Sequence, residues 1–157
     1  MNNKIELEKL AKFLDEASKN TYANPLAPKT GSTRDKSEDY HYDNGEYAYH
    51  DTYFGGRNFM GEEIIYKDQK PIWGANYYGF VTSDEMGTNE IYNFLRKALM
   101  EDSGSVIPVR GPVRFENDNW LYEFAADGRL DCFTGEERIK FNGKEVYKCY
   151  LHGGLII

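Results

Sequence analysis

The chain has 157 residues, and 19 Lys and Arg stand against 26 Asp and Glu, which gives a formal net charge of −7 at pH 7. This acidic balance argues against direct nucleic-acid binding, because the phosphate backbone needs a basic surface on its partner. Alternating Lys and Glu in residues 1–20 exclude a signal peptide, and no apolar run approaches the length of a membrane span. We therefore expect a cytoplasmic protein with no membrane segment, built as one domain over residues 1–157.

Cys132 and Cys149 lack the CxxC spacing and the His-rich neighbours of a metal site, so we expect free, buried thiols. No glycine-rich phosphate loop and no nucleophile elbow is present in the sequence. The sequence therefore predicts neither a metal site nor a cofactor. Its 13 tyrosines raise the aromatic fraction to 15%, which suits either a β-rich core or a recognition surface.

The first half of the chain predicts a helix followed by two hairpins. Apolar residues at helical spacing place one buried stripe on a helix of about residues 4–18, formed by Leu7, Leu10, Phe13, Leu14 and Ala17. Residues 24–39 are almost free of apolar side chains and predict a long loop. The turn Asp43-Asn44-Gly45 indicates a hairpin, and the expected strands of this half are 40–42, 46–54, 59–66 and 72–80.

The second half predicts the same order of elements. Thr88 is the expected N-cap of a helix that ends before Gly104, with a buried face of Ile91, Phe94, Leu95 and Ala98. Two hairpins follow, and their expected strands are 113–115, 120–124, 130–140 and 145–151.

The two halves also resemble each other in sequence. The segment Phe59–Ile65 recurs as Phe133–Ile139, 74 residues later, and the apolar positions of the two helices match at an offset of 81. Each repeat unit, about 4–80 and 88–154, is then a helix plus four strands. We expect an α+β fold in which two repeats, related by a pseudo-twofold axis, form one curved antiparallel sheet with both helices packed against it.

Several short motifs, taken together, carry a resemblance that covers nearly the whole chain. They are Tyr49–Gly56, Phe59-x-Gly61-x-Glu63, Trp73-x-x-Asn76-Tyr77-Tyr78-Gly79, Arg110-Gly111-Pro112 and His152-Gly153-Gly154. In this combination the chain resembles an uncharacterised bacterial domain family that occurs alone or after a Cro/CI-like helix-turn-helix. The present chain begins directly on the first predicted helix, so we expect no DNA-reading part. The resemblance implies no catalytic residues, and the position of the domain in fused members implies a sensor of small molecules.

Side-chain alternation places Glu63 and Glu137 on the core-facing row of their strands, and Glu62 and Glu136 on the solvent-facing row. A glycine bulge at Gly61 would exchange the two rows. A buried carboxylate has to be paired or hydrogen-bonded. Two readings stay open. In one, Glu63 and Glu137 tie down backbone or tyrosine groups, which is the commoner role of buried acids; in the other, they line an aromatic cavity that binds a cationic or hydroxylated ligand.

Arg110 lies on a connection stiffened by Pro112, where a guanidinium can clamp an anion or form an ion pair with Glu63 or Glu137. His50 and Asp51 are adjacent on a strand and point to opposite faces, so they cannot pair with each other. Asp51 is more simply interpreted as a structural hydrogen-bond acceptor than as a partner in acid–base chemistry.

These features predict a small-molecule-binding or sensory domain without catalytic turnover. The alternative is a hydrolase or isomerase that uses His50 or His152 together with a Glu as acid and base. The ligand would occupy a cavity between the two repeats, and its identity and the oligomeric state stay open. The residues expected to border this cavity are Tyr53, Glu63, Trp73, Arg110, Trp120 and Glu137.

Overall fold

The computed structural model of the chain describes residues 2–104 and 107–156. Its elements follow in the order α1 (Asn2–Asn20), β1 (Glu38–Asn44), β2 (Tyr47–Gly55), β3 (Asn58–Lys67), β4 (Lys70–Val81), α2 (Thr88–Met100), β5 (Arg114–Asn117), β6 (Trp120–Arg129), β7 (Cys132–Phe141) and β8 (Lys144–Leu155).

The eight strands form one sheet in the order β1-β2-β3-β4-β8-β7-β6-β5, and every neighbouring pair is antiparallel. Both helices pack against one face of the sheet, which we call the inner face; the opposite face is the outer face. Phe13 of α1 contacts Tyr47 with ring centroids 5.2 Å apart, and Phe94 of α2 stacks on Trp120 at 5.0 Å. The predicted α+β fold with an antiparallel sheet is therefore confirmed. No helix among the described residues is long and apolar enough to cross a membrane.

The hairpin turns follow from residues that tolerate positive φ. Asp68 and Gln69 join β3 to β4 with φ of 50° and 64°, and Asn142 and Gly143 join β7 to β8 with φ of 49° and 78°. Positive φ at both positions gives the turn twist that matches paired strands. The turn after β1 lies one residue later than predicted, because Asn44 still pairs with Tyr47 in the sheet.

Helix α2 begins differently from the prediction. Its N-cap is Gly87 and not Thr88, and the Glu90 carboxylate accepts a hydrogen bond from the Gly87 N–H at 3.3 Å. The acid therefore satisfies one of the free amides at this helix start, so no hydroxyl cap is needed.

The inner face carries the row that contains Glu63 and Glu137, as alternation predicts. There is no register shift at Gly61; the irregularities of the two long hairpins lie at Ile65/Tyr66 and Ile139/Lys140. Glu63 is 7% exposed and Glu137 is 0% exposed. Both acids are thus buried between sheet and helices, among core residues from both halves of the chain.

The polar loop before β1 is attached to the outer face through Asp39, which is 0% exposed. Its carboxylate accepts hydrogen bonds from Thr33 at 2.6 Å, from Thr52 at 2.9 Å and from Ser37, and its Oδ2 lies 2.7 Å from Nε2 of His50. Burial alone would raise the pKa of Asp39, but these hydrogen bonds together lower it below its ordinary value. Asp39 therefore fixes the loop to the sheet as a shared hydrogen-bond acceptor.

Both cysteines are free, as predicted, but only Cys149 is buried. Cys132 is exposed and pairs with Gly154 across the sheet, whereas Cys149 pairs with Glu137. The prediction of a buried thiol is wrong for Cys132, because it lies near the start of β7, where the sheet reaches solvent.

Candidate functional site

A cavity of about 130 Å³ opens between α2, the segment after α1 and the inner face of β2, β3 and β4. Its walls are mostly aromatic, with two glycines at the rim and three charged side chains inside. The residues that line it are Tyr22, Asp51, Tyr53, Gly55, Gly56, Phe59, Tyr77, Tyr92, Arg96 and Arg110.

The wall formed by β2 and β3 contains two carboxyl groups side by side. Asp51 and Glu63 are cross-strand partners in the sheet register, and both face inward. Asp51 is 3% exposed and accepts a hydrogen bond from the Tyr77 hydroxyl at 2.6 Å, and Glu63 is hydrogen-bonded by Tyr49. Burial raises the pKa of Asp51 to about 6, and burial together with the neighbouring Asp51 raises the pKa of Glu63 to about 8. Two buried carboxyl groups this close therefore resist being ionised together.

Two glycines allow the aromatic side chains to reach this wall. A Cβ at Gly61 would lie 2.4 Å from the Tyr77 hydroxyl, and a Cβ at Gly79 would lie 2.3 Å from the Phe59 ring. Neither distance is possible between real atoms, so both positions need the open space above glycine. Gly61 in this way lets Tyr77 extend across β3 to Asp51 on β2.

Arg110 enters the cavity from the connection before β5 and is fixed by Glu137. Its Nε donates to Oε2 of Glu137 at 2.8 Å and its Nη2 donates to Oε1 at 3.0 Å. Tyr122 and Tyr147 each donate a hydroxyl to the same carboxylate at 2.8 Å. Burial would lower the pKa of Arg110, but the negative charge of Glu137 raises it, so the guanidinium stays charged. Of the two partners left open for Arg110, the structure selects Glu137.

The third charged residue of the cavity is Arg96, which projects from α2. Its guanidinium carbon lies 4.6 Å from the ring centroid of Tyr22, and its Nε donates to the Tyr22 carbonyl at 3.2 Å. In the described part of the chain, no carboxylate forms an ion pair with Arg96. The guanidinium is thus oriented by an aromatic ring and a carbonyl, while its charge has no counter-ion.

Comparison with known families identifies the chain through its central and C-terminal parts. A domain of unknown function, DUF5680, matches residues 51–156, which is more than half of the chain. The chain belongs to the DUF5680 family. Searches of curated proteins and of solved structures found no match. In this DUF5680 chain, the matched region contains nearly all the cavity residues, whereas Tyr22 lies before it.

Two of the predicted site residues of this DUF5680 chain, Tyr53 and Arg110, line the cavity. Glu63 lies beside Asp51 on the next strand and Glu137 holds Arg110, so both acids contact residues of the cavity wall without lining the cavity themselves.

The two tryptophans pack elsewhere in this DUF5680 chain. The Trp73 indole N–H donates to the Leu130 carbonyl at 2.8 Å, and its ring lies parallel to Phe133. Trp120 packs between Phe94 and Phe141. The structure therefore does not bring the tryptophans together with the other four predicted residues.

Sequence reasoning missed Asp51 as a cavity residue and did not consider Tyr22 or Arg96. Asp51 could have been found, because its parity on β2 equals that of Tyr49 and Tyr53, and this places it on the inner face. No sequence pattern marks Arg96 as a cavity residue. It stands next to the apolar stripe of α2, where an arginine usually faces solvent.

The histidines of the acid–base alternative lie away from the cavity. His50 bonds Asp39 on the outer face, and His152 pairs with Asn76 and Thr134 on that same face. Neither imidazole lines the cavity.

Proposed function

We propose that the chain is a small-molecule-binding domain and that the cavity between α2, the segment after α1 and strands β2–β4 is its ligand site. The observation that carries this proposal is a pair of opposite charges, Asp51 and Arg96, in one aromatic-lined cavity. Their hydrogen-bonding capacity is largely unused by the described residues. Concave, mostly apolar sites with a few convergent polar groups are the usual form of small-molecule sites.

Unused capacity supports this proposal because two other buried carboxylates of the sheet, Glu137 and Asp39, accept several hydrogen bonds each. Glu137 accepts four hydrogen bonds from three side chains. Asp39 is likewise surrounded by hydroxyl donors and an imidazole. Asp51, in contrast, accepts one side-chain hydrogen bond although a carboxylate can accept about four. A ligand is a natural source of the remaining donors.

A sensory role in the cytoplasm is part of the same proposal. The free thiols Cys132 and Cys149 fit a reducing compartment. In the bacterial proteins that the chain resembles, the domain can follow a Cro/CI-like helix-turn-helix, and a ligand-binding partner to such a DNA-reading unit would report metabolite levels.

We also propose that the two halves are repeats related by an approximate twofold axis. Each half contributes a helix and four strands, and the strand order is the same when read from either edge to the β4–β8 pair. The long hairpins share a register, since Glu63 pairs with Ala75 as Glu137 pairs with Cys149. Superposition of residues 47–81 on 120–155 tests this proposal, which fails if the two hairpin pairs diverge.

The second candidate is an enzyme with acid–base chemistry, a hydrolase or an isomerase. One observation favours it: Asp51 and Glu63 are adjacent carboxyls whose environments separate their pKa values to about 6 and about 8. Such a pair can hold one proton donor and one proton acceptor at neutral pH. The two carboxyls would take the role first assigned to a histidine with a glutamate.

A metabolite panel read by thermal denaturation tests the proposed function. A ligand at 100 times its Kd adds about 2.7 kcal/mol to the free energy of unfolding, which is a clear shift for a domain of this size. We expect at least one class of hit, and we expect Asp51→Asn to abolish it while Asp43→Asn, an exposed acid on β1, leaves it intact. A hit returned chemically altered would establish the enzyme instead. Absence of any hit would refute the proposal and favour a protein-interaction role.

A further inference from the structure

We propose that the cavity ligand is a small zwitterion, an amino acid or related amino-carboxylate, with its ammonium group at Asp51 and its carboxylate at Arg96. This inference rests on the proposed function and specifies the ligand class of that same site. Three observations support it: the charge balance of the cavity, the character of its walls and its size.

The charge balance requires a ligand with both signs of charge. Arg110 and Glu137 neutralise each other through two hydrogen bonds of 2.8 and 3.0 Å, so that pair adds no net charge to the cavity. Asp51 and Arg96 remain, and they form no ion pair with each other. A monocation would leave Arg96 without a counter-ion, and a monoanion would leave Asp51 with only Arg110, already paired with Glu137, as a positive neighbour. A zwitterion supplies a partner to each: Asp51 is buried and Arg96 is half-buried, and a charge removed from water needs such compensation.

The walls suit an ammonium group beside a short apolar stem. Tyr22 and Tyr53 meet edge to face with ring centroids 6.2 Å apart, and Tyr92 contacts Phe59 in the same way at 5.8 Å. Aromatic faces stabilise a cation held near them, and their apolar surface covers methylene groups.

The available space restricts the ligand to a few non-hydrogen atoms. A cavity of about 130 Å³ is close to the roughly 150 Å³ of an engineered cavity that accepts a benzene ring. This excludes nucleotides and oligosaccharides as fully enclosed ligands. It admits an amino-carboxylate with a short side chain or spacer.

Matched probe sets test the inference by isothermal titration calorimetry on the whole chain. The zwitterions are L-alanine, L-valine, L-proline, β-alanine, γ-aminobutyrate and 5-aminovalerate, each measured beside the amine that lacks its carboxylate and the carboxylate that lacks its amine. We expect at least one zwitterion to bind 10-fold or more tightly than both of its analogues.

Two variants assign the ends of the ligand. Asp51→Asn should abolish the preference for the zwitterion over the carboxylate analogue, and Arg96→Gln should abolish the preference over the amine. Arg57→Gln, which removes an exposed arginine outside the cavity, should change neither ratio. Circular dichroism checks that each variant is folded, and the Asn side chain at 51 can still accept the Tyr77 hydroxyl.

The outcomes separate this inference from the proposed function. If an amine or a carboxylate analogue binds as tightly as every zwitterion, the inference is overturned and the proposed function stands. The same holds if no probe binds while the metabolite panel gives other hits. If neither the probes nor the panel produces a ligand, both fail together.

Discussion

At the scale of single residues, three inward-facing acids of one sheet have been given different electrostatic roles by their neighbours. Glu137 is paired with Arg110, whereas Glu63 has a tyrosine and a second carboxyl beside it, and its pKa is raised to about 8. Asp51 lies between these cases, with a pKa of about 6. A carboxyl group thus stabilises an ion pair, keeps a proton or offers a negative charge to the cavity, according to the groups that face it.

The raised pKa of Glu63 predicts how the stability of the chain varies with pH. The pKa of Glu63 is about 8 in the folded chain against 4.5 ordinarily, so between these values the folded state holds a proton that the unfolded state has lost. The free energy of unfolding should therefore fall as pH rises through this window. Glu63→Gln should flatten that fall and stabilise the chain at pH 8 by on the order of a few kcal/mol.

Urea unfolding at pH 5.5 and pH 8 measures this effect. Glu62→Gln is the matched control, because Glu62 directly precedes Glu63 in the chain, faces outward and pairs with exposed Arg34. Parallel pH dependence in Glu63→Gln and the unmodified chain would show that Glu63 is ionised throughout.

The Arg110–Glu137 ion pair predicts that Glu137→Gln destabilises the chain, in contrast to Glu63→Gln. Glu137→Gln leaves the buried Arg110 charge uncompensated, and breaking a buried pair in this way costs roughly 3–5 kcal/mol. Glu136→Gln changes an outward-facing partner of Arg138, where exposed ion pairs contribute about 1 kcal/mol or less. Equilibrium denaturation should show a large loss of unfolding free energy for Glu137→Gln and little loss for Glu136→Gln. Similar losses would mean that Arg110 finds another counter-charge.

At the scale of elements, the loop between α1 and β1 shows how a segment with little apolar surface becomes fixed. Its hydroxyls converge on Asp39, and Thr30 forms an isolated bridge to the same residue. The anchoring is polar, and the Asp39 carboxylate, which is completely buried, accepts more of the loop's hydrogen bonds than any other side chain. The ion pairs that also hold the loop, Lys29–Glu38 and Arg34–Glu62, are at the surface.

Removal of this carboxylate should release the loop while leaving most of the sheet intact. In Asp39→Ala, the side chains of Thr33, Ser37 and Thr52 lose their common acceptor, and we expect trypsin to cleave after Arg34 and Lys36 at least several-fold faster. Glu38→Ala, an exposed neighbour that pairs with Lys29, is the control. Unchanged cleavage rates in Asp39→Ala would show that backbone contacts alone hold the loop.

Much of the element order was predictable because hydrophobic alternation and turn chemistry act locally. The helical spacing on α2 correctly placed Ile91, Phe94, Leu95 and Ala98 in the core. Glu63 and Glu137 were placed on the inner face by side-chain alternation along their strands. The start of α2 was missed by one residue, since a glycine N-cap supported by Glu90 competes with the expected threonine.

The site was only half predictable, because its residues meet through packing between distant elements. Arg96 reaches the cavity from α2, and Tyr22 reaches it from the segment after α1; no local pattern relates the two. Trp73 and Trp120 were expected at the cavity for their aromatic character, but Trp73 is buried in the core and Trp120 packs, half-buried, against Phe94 and Phe141. Composition indicates which residues can bind a ligand, and tertiary packing decides which ones face it.

At the scale of the whole molecule, the two halves meet along the β4–β8 pair in the middle of the sheet. Nine residue pairs join these strands, from Trp73–Leu155 to Val81–Tyr147. The core also combines side chains from both halves, so neither half has a complete inner layer of its own. Folding of each half should therefore depend on the other.

Fragment complementation tests this dependence. A chain divided in the exposed segment between β4 and α2, into residues 1–86 and 87–157, should give fragments that show no cooperative unfolding when separate. Mixed at equal concentrations they should recover the far-ultraviolet circular dichroism of the intact chain, because β4 and β8 supply each other's missing neighbour. A cooperative transition in either fragment alone would contradict the shared core.

The central position of β8 has a consequence for synthesis on the ribosome. Residues 38–81 emerge first and can form the β1–β4 sheet. One edge of β4 then has unpaired backbone amides and carbonyls until residues 144–155 have left the exit tunnel. An unpaired strand edge of this length is a template for intermolecular pairing. Nascent chains on the same polysome are therefore most exposed to one another during this interval, and holdase chaperones would have their largest effect on yield there.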